Sequence, residues 1–416
     1  FSPIEVEEIN AEKGIVRIIN RFDFTDLSKY NLCWQQMSEK GMLREGKETF
    51  SLPAGKSGVL DLELNRITND EWWLNLIFTG KADEEVVAQK QFHVNANDGW
   101  HRTLPENGEI SMWETYGNIC VSSREIEVKV SRRTGLLSSF KYMGEELLKE
   151  PVKPVFWRAL TDNDRGCLRH VKNALWRLAG ESTKFTVEET RWNEKRAIIK
   201  TSFTVPTVPE SKGFINYTIT GAGIKTEFEF TPAQRLPDVP DVALEFILAE
   251  YFESCRYFGK GPHENYCDRN LSTYVGEYES TADEFFTPYL KPQENGHRTG
   301  VKSFSVSGNR IKLTAEAKGE MEVNYGRYKW NELEEAGHSY DLKGKDNKIV
   351  LRLSAGQCGV GGYNSWGFPP LDEHLNMSGK TYRLGFVLMP EGDVKPVQQS
   401  HKKNEGFGEI LTKNNR

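Results

Sequence analysis

Short apolar runs separated by turn-forming residues recur along most of the chain. Over residues 4–94 they alternate with polar positions, most clearly at residues 14–19 and 72–78. Alternation with a period of two predicts β-strands, and strands repeated about every ten residues are typical of a small sandwich. We therefore predict an immunoglobulin-like β-sandwich over residues 1–95.

A longer strand-rich segment follows a stretch rich in Asn, Gly and Pro, which we interpret as a linker over residues 96–107. Clear two-residue alternation occurs at residues 125–130, 225–230, 302–306 and 382–388. Because a sheet of many strands must fold over to bury its apolar face, residues 108–392 are predicted to form one large β-sandwich. The chain turns polar after Pro390, and residues 393–416 are expected to form a tail to which we assign no function.

One helix is predicted within this second segment. Its apolar residues recur at helical spacing and are Leu168, Val171, Leu175 and Leu178. Gly180 follows at the place where a C-terminal glycine would end the helix. No second helix of this quality is predicted after it.

The composition argues against nucleic-acid and membrane roles. With 54 Lys and Arg against 60 Asp and Glu, the formal net charge is -6 and the pI is near 5.9, so no basic field attracts phosphates or an anionic membrane. The longest apolar runs fall far short of the ~20 residues that a spanning helix needs. The 6 cysteines form no CxxC pair and the 8 histidines have no metal-ligand spacing, so we predict no metal site and no cofactor in this chain.

Four stretches carry more polar and aromatic side chains than folding requires, namely residues 156–166, 259–269, 291–298 and 359–370. The candidate polar residues in the second and third stretches are His263, Glu264, Asn265, Asp268, Arg269, Glu294, Asn295 and Arg298. Side chains of these types in turns commonly satisfy backbone groups and order loops, which is the interpretation we favour. Acid–base chemistry by a histidine beside a glutamate is the alternative.

The fourth stretch places one tryptophan among flexible residues. Trp366 is flanked by Asn364, Ser365 and Gly367 rather than by apolar neighbours. An indole exposed on a glycine-framed loop offers a stacking face for the C–H edges of a sugar ring, so Trp366, Asn364 and Ser365 are predicted to bind substrate. Packing of this indole in a core is the alternative.

Three motifs in a fixed order carry a resemblance to a known family. They are Trp157-Arg158-Ala159 with Thr161-Asp162-Asn163-Asp164, then Gly259-x-Gly261-Pro262-His263-Glu264-Asn265-Tyr266-x-Asp268-Arg269, then Pro292-Gln293-Glu294-Asn295-Gly296-x-Arg298. In this order and spacing they resemble the C-terminal region of bacterial β-galactosidases of glycoside hydrolase family 2. The resemblance covers nearly the whole chain and implies an all-β fold: an immunoglobulin-like domain, then a "small chain" β-supersandwich similar to galactose mutarotase.

The resemblance also implies a division of roles. In that family the catalytic glutamates and the main magnesium ligands lie on a (β/α)8 barrel that precedes these domains, and this sequence lacks the strand–helix alternation of such a barrel. We therefore expect a non-catalytic part of an enzyme that hydrolyses terminal β-galactosides with retention and forms a homo-oligomer. The family's loop tryptophan stands in a Gly-Gly-x-x-Ser-Trp context, which Gly361-Gly362-Tyr363-Asn364-Ser365-Trp366 matches. The chain begins at Phe1, and we expect it to be cut from something longer.

Two other functions stay open at this stage. The first is a complete hexose mutarotase-like epimerase that uses a histidine and a carboxylate among His263, Glu264, Glu294 and His297. The second is a polysaccharide-binding module with a row of exposed aromatic side chains, for which Tyr328, Trp330 and Tyr340 are candidates. The compartment is not determined, and a bacterial cytoplasm or periplasm would each fit.

Overall fold

The computed structural model describes residues 2–39, 41–67, 71–94, 104–344 and 347–392. These residues form two compact units. The first comprises the described residues up to Val94 together with Tyr274–Glu277, and the second comprises the described residues from Leu104 onward apart from that segment. Most of the predicted linker at 96–107 and all of the predicted tail at 393–416 lie outside the described residues.

The first unit contains seven described strands in two antiparallel sheets. The strands are β1 Ile4–Asn10, β2 Ile15–Asn20, β3 Tyr30–Ser38, β4 Gly41–Glu48, β5 Ser57–Asp61, β6 Trp72–Gly80 and β7 Val86–Val94. The sheet orders are β1-β2-β5 and β4-β3-β6-β7. Apolar side chains from both sheets share one core, which makes this unit a β-sandwich.

Strand β6 departs from the predicted alternation, because all nine of its residues are buried. It is an interior strand of its sheet, and side chains of β7 lie beside those of its second face. The ring of His93 stacks on Trp73 at 4.9 Å between centroids, and the amide of Gln91 donates to Asn75 at 2.6 Å.

The second unit contains seventeen described strands. They are β8 Ser111–Glu114, β9 Asn118–Ser122, β10 Ile126–Ser131, β11 Leu137–Tyr142, β12 Glu145–Glu146, β13 Leu148–Val155, β14 Lys184–Trp192, β15 Arg196–Val205, β16 Ser211–Thr220, β17 Gly223–Thr231, β18 Asp241–Leu248, β19 Ser254–Gly261, β20 Tyr274–Thr281, β21 Arg298–Gly308, β22 Ile311–Gly326, β23 Ile349–Gln357 and β24 Tyr382–Gly392. Segment 274–277 of β20 is grouped with the first unit.

One sheet of twelve strands dominates the second unit. Its main path is β13-β18-β23-β22-β24-β17-β16-β15-β14, with β21 paired to β22 and β19 paired to β20 and β21, and a five-stranded sheet runs β12-β11-β10-β9-β8. Inward-facing side chains of both sheets form a single apolar core. The predicted alternation is clear in β10 and β17, whose buried and partly exposed residues follow the period of two. The all-β fold class is confirmed.

Helices are short throughout the described residues. They are α1 Asp162–Gly166, α2 Arg169–Lys172 and α3 Trp330–Glu335, with 3-10 turns at Ala11–Lys13, Leu27–Lys29, Ala174–Trp176, Ser339–Asp341 and Asp372–His374. Among the described residues, no helix has the length and apolar character required to cross a membrane.

The predicted single helix is wrong in its continuity, and its apolar residues do not enter the core. Leu168 adopts a left-handed conformation with φ 61° that separates α1 from α2. The four apolar residues of the stripe, Leu168, Val171, Leu175 and Leu178, are all exposed. The buried positions are instead Arg169, Asn173 and Trp176, which also recur at helical spacing.

Arg169, Asn173 and Trp176 are buried because their polar groups have hydrogen-bonding partners inside the protein. Arg169 forms an ion pair with Asp238, Asn173 donates to the Asp238 carbonyl oxygen, and the indole N–H of Trp176 donates to the Pro237 carbonyl oxygen at 3.1 Å. Buried polar groups are tolerated when they are paired in this way.

Gly180 has a different role from the predicted helix end. A Cβ atom at this position would clash with the carbonyl oxygen of Pro154 in β13. The glycine therefore permits the turn at 177–181 to lie directly against the edge of the large sheet.

We predict that Gly180→Ala lowers the free energy of unfolding by about 1–3 kcal/mol, the usual cost of forcing an extra carbon into a packed site. Gly117→Ala is the matched control, because a Cβ atom at Gly117 meets nothing within 4 Å. Urea denaturation followed by tryptophan fluorescence measures both. Equal stability of the two variants would show that the close approach at Pro154 is not required.

Candidate functional site

Two of the polar stretches, residues 156–166 and 259–269, contact the base of a third, the loop 359–370. Arg158 is buried and donates to both carboxylate oxygens of Asp164, from Nη1 to Oδ2 at 2.5 Å and from Nη2 to Oδ1 at 3.2 Å. The same Nη2 donates to the carbonyl oxygen of Gly359 at 3.0 Å. The buried ion pair is thereby connected directly to the first residue of the loop.

Asp268 from the second stretch holds the next residues of the loop. Its carboxylate accepts the backbone N–H of Val360 at 3.2 Å and that of Gly361 at 2.7 Å. A Cβ atom on Gly359 would lie 2.5 Å from this carboxylate, so glycine is needed for the approach. The side-chain amide of Asn163 donates to the Val360 carbonyl oxygen at 3.0 Å. The base of the loop is therefore held by several independent hydrogen bonds.

The tip of the loop is exposed. Asn364 Oδ1 accepts the backbone N–H of Trp366 at 2.9 Å in a local turn, and Gly367 adopts a left-handed φ of 84°. A Cβ atom on Gly367 would lie 2.9 Å from the Gly166 carbonyl oxygen, so the tip also lies close to α1. The Trp366 side chain is 88% exposed, and Ser365 is exposed beside it. The alternative that this indole packs in the core is excluded.

Asp164 and Arg158 stabilise each other's charged form. Burial alone would raise the pKa of Asp164, but the charge and hydrogen bonds of Arg158, with the charge of Arg169, hold that pKa below its usual value. Burial alone would lower the pKa of Arg158, and Asp164 raises it. Asp164 also accepts the backbone N–H and the hydroxyl of Thr161, at 2.8 and 2.9 Å, in a capping box that begins α1.

Glu294 is a buried acceptor with several donors. Its Oε2 accepts the backbone N–H of Ala159 at 3.1 Å. Its Oε1 accepts from Arg352 at 2.6 Å, from Asn324 at 2.9 Å and from Gln357 at 3.2 Å. A carboxylate saturated in this way connects the third stretch to the first and to strands β22 and β23.

Glu264 has a similar role at the surface of the unit. It accepts from the hydroxyls of Tyr289 and Thr287, from the backbone N–H of Gly296 at 2.9 Å and from Arg269 at 2.6 Å. Burial alone would raise the pKa of Glu264, but the hydrogen bonds from Tyr289 and Gly296 and the charge of Arg269 hold it below its usual value.

The other predicted polar residues also order the backbone. Asn265 donates to the Lys260 and His263 carbonyl oxygens, and its own oxygen accepts from Thr299 at 2.6 Å. Asn295 Oδ1 accepts the backbone N–H of Thr287. The guanidinium of Arg298 donates hydrogen bonds to the carbonyl oxygens of residues 262, 296 and 297 and to the hydroxyl of residue 257. Their geometry fits the favoured interpretation that these stretches order loops.

The histidines do not pair with the carboxylates proposed for acid–base work. His297 is buried, and its Nε2 lies 3.1 Å from Glu322 rather than beside Glu264 or Glu294. His263 is exposed, and burial of part of its ring together with the charge of Arg298 lowers its pKa.

Sequence reasoning missed several buried charged residues, among them Asp241, Glu245 and Arg352. Asp241 and Glu245 lie on β18, and Arg352 lies on β23, directly opposite Glu245 in the strand register. Nη1 of Arg352 approaches Asp241 at 3.3 Å. The available signal was a lone charged residue inside an otherwise apolar strand, which usually marks a buried pair.

The residues do not fit a resident metal ion. Within the described ranges, no group of three or more His, Cys, Asp or Glu side chains could hold one. All six cysteines are unpaired thiols.

Taken together, these features define an all-β protein with a sandwich of immunoglobulin size, a large supersandwich and an exposed tryptophan on an anchored loop. Two family models match it: "Beta galactosidase small chain" over residues 122–388 and "Beta-galactosidase, domain 4" over residues 16–97. The chain belongs to the β-galactosidase small chain family.

Its curated relatives are β-galactosidases. The chain is 32% identical to the β-galactosidase of Streptococcus thermophilus over 69% of its own length and 28% of that protein. It is 26% identical to that of Priestia megaterium over 94% of its own length and 39% of that protein, and 28% identical to that of Lactobacillus delbrueckii subsp. bulgaricus over 92% and 38%. The chain thus spans well under half the length of these relatives.

Similar solved structures include a galactose mutarotase-like protein from Lactobacillus casei and a putative aldose 1-epimerase from Escherichia coli. The first has 9% identity and a TM-score of 0.37 over 66% of this chain and 100% of that one. The second has 8% identity and a TM-score of 0.38 over 68% and 99%. Values this low support no conclusion about function.

We predict that Arg158→Met lowers the free energy of unfolding by about 3–5 kcal/mol, because it leaves the buried Asp164 carboxylate without its main partner. The matched control is Arg132→Met, since Arg132 pairs with Glu114 at 3.2 Å on the surface, where both side chains are about half exposed. Its expected loss is below about 1 kcal/mol. Thermal and urea denaturation measure both variants, and similar losses would contradict a special role for the buried pair.

Glu264 should make stability depend on pH. Because its folded pKa lies below the ordinary glutamate value of 4.5, its stabilising effect is present above that pH and is lost as the pH falls through the folded pKa. We expect Glu264→Gln to cost about 1–3 kcal/mol near neutral pH, with a difference from the native protein that shrinks in acid. Urea denaturation between neutral pH and about pH 3.5 tests this. A constant difference across that range, or an equal effect of the exposed control Glu109→Gln, would count against it.

Proposed function

We propose that this chain is the non-catalytic C-terminal part of a β-galactosidase, and that Trp366 completes the galactose site of the parent enzyme. The observation that supports this most directly is the contrast within the loop 359–370. Its base is held by Arg158, Asp268 and Asn163, whereas the indole at its tip is 88% exposed. A rigidly held but uncovered indole is suited to stacking on a sugar ring brought by another part of the protein.

Membership of the family supports the same proposal. The family models match the two units in the order expected for the C-terminal region of such enzymes, and the aligned part makes up only 28% and 39% of the first two relatives. We therefore infer that galactoside hydrolysis, with retention, belongs to the whole protein and that this chain supplies a wall of the site.

The saturated carboxylates argue against chemistry by the chain itself. Retaining hydrolysis needs two available carboxyl groups about 5–5.5 Å apart across a cleft. Glu264, which is partly buried, and Glu294, which is buried, already accept hydrogen bonds at both oxygens. The same saturation disfavours the epimerase alternative, which needs one of them as an acid or base.

The arrangement of aromatic side chains disfavours a polysaccharide-binding module. Tyr340 is exposed but stacks on His338 at 4.9 Å, and Trp330 is partly buried beneath Arg177. Tyr328 packs against Phe286 at 5.7 Å. These rings therefore do not form the row of uncovered faces that a polymer requires.

The first test uses the purified chain. We expect it to leave a chromogenic β-galactoside unhydrolysed and to mutarotate fresh α-galactose no faster than buffer, measured by polarimetry. Hydrolysis that survives controls for host enzyme would overturn the proposal, and accelerated mutarotation would favour the epimerase.

The second test places Trp366→Ala in the full-length enzyme. Loss of a stacking contact of ~1 kcal/mol should lower kcat/KM for galactosides about fivefold, with Trp366→Phe restoring part of the loss. Trp192→Ala is the matched control, because Trp192 is also an exposed tryptophan, at 51%, but lies on β14, at the end of the sheet path opposite β13. An unchanged kcat/KM in Trp366→Ala would remove the proposed role of the indole.

A further inference from the structure

A cavity of about 300 Å³ lies beside the edge of the large sheet, and the loop that carries Trp366 contributes no residue to it. Its walls come from the end of β13, the turn at 177–181, one residue of β18 and the start of α3. The close approach of Gly180 to Pro154 positions the turn that forms one wall. We call this space the Glu245 cavity.

The residue from β18 is Glu245, the most unusual group in the cavity. Its side chain is only 8% exposed, and its Oε2 has no hydrogen-bond partner. Burial raises the pKa of Glu245, although the charges of Arg352 and Lys329 oppose the shift. A buried carboxylate oxygen without a donor is costly, so a donor from a bound molecule would relieve that cost.

The charges that line the cavity balance, which excludes a simple anion or cation site. The positive residues are Lys153, Arg177 and Lys329, and the acidic residues are Glu181, Glu245 and Glu335. Moreover, two of the cations already have partners outside the lining. Nζ of Lys329 contacts both oxygens of Glu150 at 2.8 and 2.9 Å, and Arg177 contacts Glu334 at 2.7 Å. A phosphate would have to compete with these pairs and would also face Glu245.

The cavity also has an apolar side. The indole of Trp330 lies beneath the guanidinium of Arg177, with 5.3 Å between its Cζ and the ring centroid, so both side chains hold each other in place. Leu178 lines the cavity and is 55% exposed. Leu178 is exposed because the apolar side of residues 168–178 faces away from the core. A ligand in this space would therefore meet both hydrogen-bonding groups and C–H groups.

We propose that the Glu245 cavity binds a neutral polyhydroxylated molecule of the size of one sugar ring. One of its hydroxyl groups donates to the carboxylate of Glu245, the amide of Asn331 at the start of α3 bonds a second, and its C–H groups lie against Leu178 and Trp330. The volume is at the lower end of the range of small-molecule sites, which begins near 300 Å³, so one ring fits and a polymer does not. This proposal does not depend on the function proposed for Trp366.

The test is a ligand-observed NMR titration of the whole chain with D-galactose and with D-glucose. A ligand of roughly twelve non-hydrogen atoms with ordinary ligand efficiency binds with a Kd in the millimolar range. We expect Glu245→Leu to raise that Kd at least about tenfold, because the variant removes the acceptor and keeps the approximate size of the side chain. The matched control is Glu316→Leu, which removes another buried glutamate of the large sheet that does not line the cavity and should leave the Kd unchanged.

Two further variants make the result independent of folding defects and of the Trp366 loop. Leu178→Gln changes an exposed side chain and should raise the Kd about threefold without loss of stability, because only contact with the ligand is reduced. Trp366→Ala should leave it unchanged. If Glu245→Leu fails to fold, the Kd of Leu178→Gln tests whether the sugar binds in the Glu245 cavity.

Three results would overturn the proposal. The first is the absence of saturable binding of either sugar at tens of millimolar, roughly ten times the expected Kd. The second is an unchanged Kd in Glu245→Leu and Leu178→Gln. The third is displacement of the sugar by inorganic phosphate, which would indicate an anion site.

Discussion

The buried guanidinium of Arg158 is the constraint on which the loop 359–370 and its supports depend. A charge removed from water must be paired and hydrogen-bonded, and Asp164 is the partner that satisfies it. Once the pair forms, Nη2 of Arg158 is directed to the carbonyl oxygen of Gly359, and the capping box of Asp164 begins α1 against the same loop. One electrostatic requirement therefore positions both a helix and the loop that presents the indole.

The loop 359–370 is held by hydrogen bonds at its base and is exposed at its tip. Hydrogen bonds from backbone N–H groups to Asp268 hold the first residues of the loop, and only glycine at position 359 lets that carboxylate come so close. In the function proposed for Trp366, this pre-ordering of the loop reduces the entropic cost of the sugar contact.

The predictions from sequence succeeded where the structure follows from neighbouring residues. They failed where a partner far along the chain determines which side of a segment is buried. Alternation identified β10 and β17, because successive strand residues point to opposite faces. Helical spacing at 168–178 predicted one continuous helix, whereas the segment forms the short helix α2 and a separate 3-10 turn, and the side predicted to be buried is the exposed one. Asp238 and the Pro237 carbonyl oxygen, about 60 residues away, attract Arg169 and Trp176 inward and leave Leu178 outside.

The sequence by itself determined the all-β class, the motif order that indicates the family and the unusual setting of Trp366 among flexible neighbours, because composition and spacing are local properties. Only the tertiary structure decided that Glu264 and Glu294 are saturated acceptors and that Glu245 keeps an oxygen without a donor. Whether a buried carboxylate is satisfied depends on which strands lie beside it, and strand pairing joins residues such as Glu245 and Arg352 that are more than a hundred positions apart. No local pattern contains that information.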